Sequence, residues 1–147
     1  MSLNAGDKAP DFSIPSTSGD NFKLSDNVPC IIYFYPKDFT PGCTKEACTF
    51  RDGFSELKGF DIDIYGISRD TIPSHQKFKS KNNLQFDLLS DINGNVCKAF
   101  DALVPVVKIP KRVTYLIDKD MNIKAAYSDL FGFKKHLSQM ISELKVE

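Results

Sequence analysis

Two cysteines five residues apart, Cys43 and Cys48, lie in the stretch "YPKDFTPGCTKEACTFRDGF" (35–54), just after Pro36, Pro41 and Gly42. Such a pair can be a metal loop, a structural disulfide, two core thiols or a reactive centre. Structural zinc takes four ligands, usually as two close pairs. Here the spacing is C-x4-C, the remaining cysteines are Cys30 and Cys97, and the two histidines, His75 and His136, are isolated. A metal is therefore disfavoured, and so is a thioredoxin-type reductase, whose signature is C-x-x-C.

Cys43 falls at the start of a helix that follows a buried strand. A helix N-terminus offers free N–H groups and a partial positive charge, both of which favour thiolate over thiol. Pro41 and Gly42 bring little side-chain bulk to cover the sulfur. Cys48 follows at i+5, a rotation of about 140° and a rise of about 7.5 Å on an ideal helix. The two Cα atoms then stand roughly 8.5 Å apart, whereas a disulfide needs about 7 Å or less. Either the pair never bonds, or the first turns of the helix unwind when it does. Cys30 opens an apolar strand and Cys97 sits in a helical apolar pattern, so core packing is expected of both. His75 and His136 read as surface helix residues.

The elements that must hold these residues follow from periodicity. "DFSIPSTSGDNFKLSD" (11–26) predicts a hairpin turning at Ser18-Gly19-Asp20. "CIIYFYP" (30–36) is a buried strand ending at Pro36. Cys43, Ala47, Phe50, Phe54 and Leu57 recur at steps of 4, 3, 4 and 3, one face of a helix that Gly59 can stop. "FDIDIYGIS" (60–68) is the next buried strand. Residues 72–83 and 92–103 predict short helices, and "VTYLIDKDMNIKAAY" (113–127) a second hairpin. Phe133, Leu137, Met140, Ile141 and Leu144 stripe a C-terminal amphipathic helix. Strands alternating with helices, then a late hairpin, predict an α/β layer fold with a mixed sheet. A thioredoxin-like core with an N-terminal β-hairpin extension fits this order, and a flavodoxin-like sheet is the competitor.

The chain has 147 residues, and no repeat, linker or low-complexity tract divides it, so residues 1–147 are read as a single domain. Lys+Arg and Asp+Glu cancel at 19 each, leaving no global field for nucleic acid or acidic membranes. No apolar run approaches a membrane span, and "MSLNAGDKAPDF" lacks a signal-peptide core. A cytoplasmic location is expected, where four cysteines rest reduced.

"YPKDFTPGCTKEACTFRD" resembles the active-site loop of peroxiredoxins, P-x-x-x-T-x-x-C, with Pro36, Thr40 and Cys43 in register. The second cysteine at Cys48 is similar to the subgroup called bacterioferritin comigratory protein or PrxQ, the atypical 2-Cys type. "GDKAPDFSI" looks like the family's opening, "YGISRDTIPSHQKFKSKNNLQFDLLSD" like its middle, and "KRVTYLID" like the strand with an active-site arginine, here Arg112. Three features depart from the pattern, one being Val113 after Arg112, where a small hydroxyl residue is common. The segment "FDALVPVVKIP" before Arg112 is short and lacks the usual glycine, and the turn "DKDMN" lacks one too.

The resemblance implies a thiol peroxidase acting on hydrogen peroxide and organic hydroperoxides. Cys43 as thiolate attacks the peroxide and becomes a sulfenic acid. Cys48 resolves it to an intramolecular disulfide, which thioredoxin, or else glutaredoxin or glutathione, reduces. No metal, haem or flavin is implied, and a monomer suffices. Full ionisation of a thiol of pKa 8.5 gains only about 30-fold at pH 7, so the transition state must be stabilised as well. That gives jobs to the Thr40 hydroxyl, the Gly42 and Cys43 N–H groups and the Arg112 guanidinium. Pro36 and Pro41 shape the loop. Glu46, one turn beyond Cys43, could orient Arg112 or a water, or serve only as a first-turn acid favoured by the helix dipole.

Overall fold

The structure is a computed structural model that describes residues 3–130 and 132–145. Its centre is a five-stranded sheet of order β5-β4-β3-β6-β7. The strands are β3 (Cys30–Phe34), β4 (Asp63–Ser68), β5 (Leu88–Ser90), β6 (Val113–Ile117) and β7 (Ile123–Ser128). β5, β4 and β3 run parallel, and β6 and β7 are antiparallel additions on the far side of β3. A separate hairpin, β1 (Ser13–Pro15) with β2 (Asn21–Lys23), precedes the sheet. The mixed sheet, the late hairpin and the N-terminal hairpin are those expected from the sequence.

Period-2 alternation sorts β3 cleanly. Ile31, Tyr33 and Tyr35 point to one face, where they meet Ala47 and Phe50 of α1 (Pro41–Asp52), Leu57 of α2 (Phe54–Gly59), Phe78 of α3 (Ile72–Lys81) and Met140 of α5 (Phe133–Lys145). Cys30, Ile32 and Phe34 point to the other, towards Phe22, Cys97 of α4 (Asn95–Ala99) and Phe100. Both faces are covered, which is why β3 and β6 read as continuous apolar runs. The same alternation on β6 sends Val113, Tyr115 and Ile117 to the α4 side and Leu116 to the α1–α5 side. Arg112 and Thr114 share the parity of Leu116, which turns them towards α1 and α5.

Three expectations are corrected. The helix expected from Cys43 to Leu57 is two helices, broken at Gly53. A Cβ at Gly53 would stand 2.5 Å from Leu137 Cδ2, so α5 packs directly on the backbone at the break. The strand β5 was not expected. Its three residues are too few to show a period, and only pairing with β4 defines it. The 92–103 helix shortens to α4, and the "DKDMN" turn places Met121 at φ +66. In "ALVPVVKIP", Val106 and Lys108 are likewise left-handed, at φ +70 and +54.

Candidate active site

The site forms where the carboxyl ends of β3 and β4 meet the N-terminus of α1, the usual place for a site in an α/β sheet. Tyr35 continues the β3 ladder by donating to the Ile67 carbonyl. The chain then turns through Pro36–Phe39 and enters α1 at Thr40, the N-cap residue, with Pro41 at the first helical position. Thr40 lends its carbonyl to the Thr44 N–H, and its hydroxyl donates to the Lys37 carbonyl at 3.0 Å.

Cys43 is third in α1, and its side chain is 1% exposed. The expectation of an uncovered sulfur is therefore corrected. Pro41 and Gly42 leave a space, but tertiary neighbours fill it. Arg112 Nη2 donates to Cys43 Sγ at 3.3 Å, and Arg112 Nη1 donates to Glu46 Oε1 at 2.7 Å. The Phe133 ring, at the start of α5, lies 5.1 Å from the guanidinium carbon, within range of a cation–π contact. Gly42 permits this approach, because a Cβ there would stand 3.2 Å from Arg112 Nη2 and 3.3 Å from Phe133 Cζ. Arg112 thus spans Cys43 and Glu46, residues one helical turn apart on the face of α1 turned towards it.

The pair of carboxylate and guanidinium is almost wholly dry, with side chains 0% and 5% exposed. Burial pushes the Glu46 carboxyl up to about 7, against the pull of Arg112. Its second oxygen, Oε2, has no hydrogen-bond partner and faces His136 Nδ1 at 3.7 Å.

Cys48 is half-buried on another flank of α1, its thiol 3.8 Å from Asn82 Oδ1 at the end of α3. Arg51 Nη1 donates to the Asn82 carbonyl beside it. The two sulfurs have different neighbours, α1 is unbroken between them, and all four cysteines are free thiols. Cys30 and Cys97 are fully buried, as expected of core residues. Burial pushes the Cys30 thiol up to about 12 and raises that of Cys97 as well.

Both histidines are corrected from surface to interior, each being 0% exposed. His75 lies behind the loop. Its Nδ1 is 2.8 Å from Asp38 Oδ2 and its Nε2 is 3.0 Å from the Leu89 carbonyl. Both nitrogens thus lie within hydrogen-bond distance of oxygen atoms, one on the loop and one on β5. Tyr35 and Ser74 hydroxyls also donate to Asp38, and the Asp38 N–H donates to Asp70. Asp38, Asp70 and His75 are of metal-ligating type and their donor atoms lie within 4.8 Å of one another. Each of those atoms already has a hydrogen-bond partner, so the cluster works as a brace for the loop. His136, on α5, lies behind Glu46. Neither role was visible in the sequence, because the partners are contributed by other elements. The one available hint was a lone histidine inside each amphipathic pattern.

Comparison with known proteins shows the family in which this geometry occurs. The AhpC/TSA family model matches residues 5–126. Peroxiredoxin Bcp of Bacillus subtilis is 38% identical over 157 aligned positions, which cover 99% of this chain and 97% of that one. The crystal structure of peroxidoxin BcpB from Mycobacterium tuberculosis superposes with a TM-score of 0.92 at 33% identity, covering 98% of this chain and 97% of that one. A structure of the bacterioferritin comigratory protein of Xanthomonas campestris, from a study of its alkyl peroxide reduction, matches with a TM-score of 0.83 at 29% identity over 92% and 90% of the chains. A buried cysteine at a helix start, joined by one arginine to a buried glutamate, thus stands in a chain that belongs to the AhpC/TSA family and, within it, to the Bcp/peroxiredoxin Q group of thiol-dependent peroxidases.

Proposed function

We propose that Cys43 is the peroxide-reactive sulfur and Cys48 the resolving one, in a cycle that needs a single chain. The observation that carries this reading is the Arg112 bridge, 3.3 Å from the Cys43 sulfur and 2.7 Å from Glu46. A guanidinium held in that fork stabilises a thiolate before reaction and the negative leaving oxygen during it. The N–H groups of Gly42 and Cys43, free by helix geometry, supply further donors. Thr40 joins them when its hydroxyl turns from the Lys37 carbonyl to an incoming peroxide, while Pro36 and Pro41 shape the approach. The thiolate attacks the terminal peroxide oxygen and the O–O bond breaks. The alkoxide or hydroxide that leaves is protonated, and the sulfur is left as sulfenic acid. Cys48 then displaces water to form the disulfide.

Because α1 holds the two sulfurs apart, its first turns must open for that second step. A dithiol of the thioredoxin type returns the pair to thiols by exchange. Glutaredoxin and glutathione are the alternative donors. Hydrogen peroxide and organic hydroperoxides are both substrates in this reading, the latter supported by the alkyl peroxide reduction studied in the Xanthomonas protein. Four free thiols suit a reducing compartment such as the cytoplasm. No described helix is long and apolar enough to cross a membrane.

The test is peroxide consumption coupled to a thioredoxin system. Cys43→Ser abolishes turnover. Cys48→Ser keeps one stoichiometric oxidation and loses recycling. Full recycling by Cys48→Ser would remove Cys48 from its assigned role, and peroxide-independent reduction of protein disulfides would favour a general oxidoreductase instead.

A further inference from the structure

The buried charges around Cys43 do not balance when its sulfur is ionised. Arg112 contributes one positive charge, and the Glu46 carboxylate and the Cys43 thiolate contribute one negative charge each. All three groups are in hydrogen-bond contact and nearly dry. One added proton makes the cluster neutral, and the geometry shows where it fits. His136 Nε2 is 2.8 Å from the Asp129 carbonyl, so it carries a hydrogen. His136 Nδ1 is 2.7 Å from the Thr114 hydroxyl, which can donate to it or accept from it. Glu46 Oε2 is without a hydrogen-bond partner at 3.7 Å from that same nitrogen. A buried carboxylate oxygen left bare is costly, and a proton on Oε2 or on Nδ1 relieves it.

We propose that Glu46 and His136 together hold one proton while Cys43 is a thiolate, and release it when the sulfur is oxidised. The two are positioning residues, since neither touches the reacting atoms. The inference rests on Cys43 being the peroxide-reactive sulfur. The reaction then balances within the site. Thiolate sulfur forms a bond to the terminal peroxide oxygen, and the O–O bond breaks with its electron pair on the leaving oxygen. Sulfur is oxidised to sulfenic acid and the peroxide is reduced. The leaving alkoxide or hydroxide takes up one proton from solvent, and the Glu46–His136 pair returns one. The pair returns it because Arg112 and Glu46 balance each other once the sulfur is neutral. Burial supports the arrangement from both sides, since it raises the Glu46 carboxyl and lowers the His136 imidazole, bringing their proton affinities together.

The surrounding groups leave this pair as the exchangeable site. Arg112 and Thr114 face it from β6, and the Tyr127 ring from β7 meets His136 edge-on at 4.8 Å. The Tyr127 hydroxyl donates to Asp129, which in turn presents its backbone carbonyl to the ring. Tyr33 on β3 is held neutral by burial and by the charge of Glu46.

Two measurements test it. In Cys48→Ser protein, oxidised by one equivalent of peroxide at a pH where ultraviolet absorbance shows the thiolate, proton uptake from a weakly buffered solution is followed with an indicator dye. Near-zero uptake is expected, against one proton per sulfur in Cys48→Ser/Glu46→Gln. Uptake of one proton by Cys48→Ser itself would overturn the proposal. Failure of the sulfur to oxidise at all would instead defeat the reading of Cys43. Independently, nuclear magnetic resonance titration of His136, with His75 as internal reference, should give a midpoint about one pH unit lower in Cys43→Ser than in the reduced wild type. Equal midpoints would also overturn the proposal.

Discussion

Arg112 donates to both Cys43 and Glu46, and the consequences can be separated by substitution. Arg112→Met keeps bulk but removes the donors to both Cys43 and Glu46. Loss of one preorganised donor at a developing oxyanion costs about 10²–10³ in rate. The second-order rate constant with peroxide, measured by stopped-flow, should fall by at least that much. A fall of less than tenfold would show that the arginine acts only on the resting thiolate. Glu46 gives a stability signature. Its carboxyl is raised from an unfolded value of 4.5 to about 7 in the fold. A raised acid contributes stability that is complete below the unfolded value and disappears as pH rises through the folded one. The Gln variant cannot titrate. The stability of Glu46→Gln relative to wild type should therefore rise between pH 4.5 and 7, by on the order of 2–3 kcal/mol. Urea unfolding across that range checks this, and a flat difference would contradict it.

At the scale of elements, α1 is tied at both ends to α3. The loop before it is braced through Asp38 to His75, and Phe39 packs edge-on against Phe78 at 5.3 Å. Further along, Cys48 and Arg51 both reach Asn82 at the end of α3. α5 packs on the remaining side, against Gly53 and across Arg112. Opening the first turns of α1 for the proposed Cys43–Cys48 bond would break some of these ties while the sheet behind stays intact. Amide exchange should report that division. On oxidation, residues 43–50 should exchange at least tenfold faster, while β3 and β6 keep their protection. Unchanged exchange across 43–50 would mean that the disulfide forms without unwinding the helix.

At the scale of the whole molecule, the two cysteines of the proposed cycle, Cys43 and Cys48, lie on one helix of one chain. Disulfide formation should then be independent of protein concentration. Peroxide-treated protein should run as a monomer on a non-reducing gel at any dilution, and a cross-linked dimer that fades on dilution would contradict this. The sheet supplies the rigid frame, with β3 buried on both faces and five strands fixing the distance from α1 to Arg112.

What the sequence by itself determined were the features carried by short range. The apolar run into Pro36 marks the strand, the T-P-G before Cys43 marks the helix start, and the five-residue gap sets the two sulfurs apart by helix geometry alone. Glu46 one turn beyond Cys43 and the resemblance around Arg112 named the remaining partners. The contacts that turn these residues into a site have sequence separations of 66 and 69 positions, and only the fold could bring them together. The same holds for the burial of Cys43 under Arg112 and Phe133, for the break at Gly53 against Leu137, and for β5, which exists only by pairing. It holds most of all for His75 and His136. Each occurs in a helix whose polar residues mostly face solvent, and nothing local distinguishes an exposed imidazole from a buried one. Their burial was decided by acceptors on other elements, the Asp38 carboxylate for one and the Asp129 carbonyl for the other, because a polar ring enters a core only where its hydrogen bonds are met.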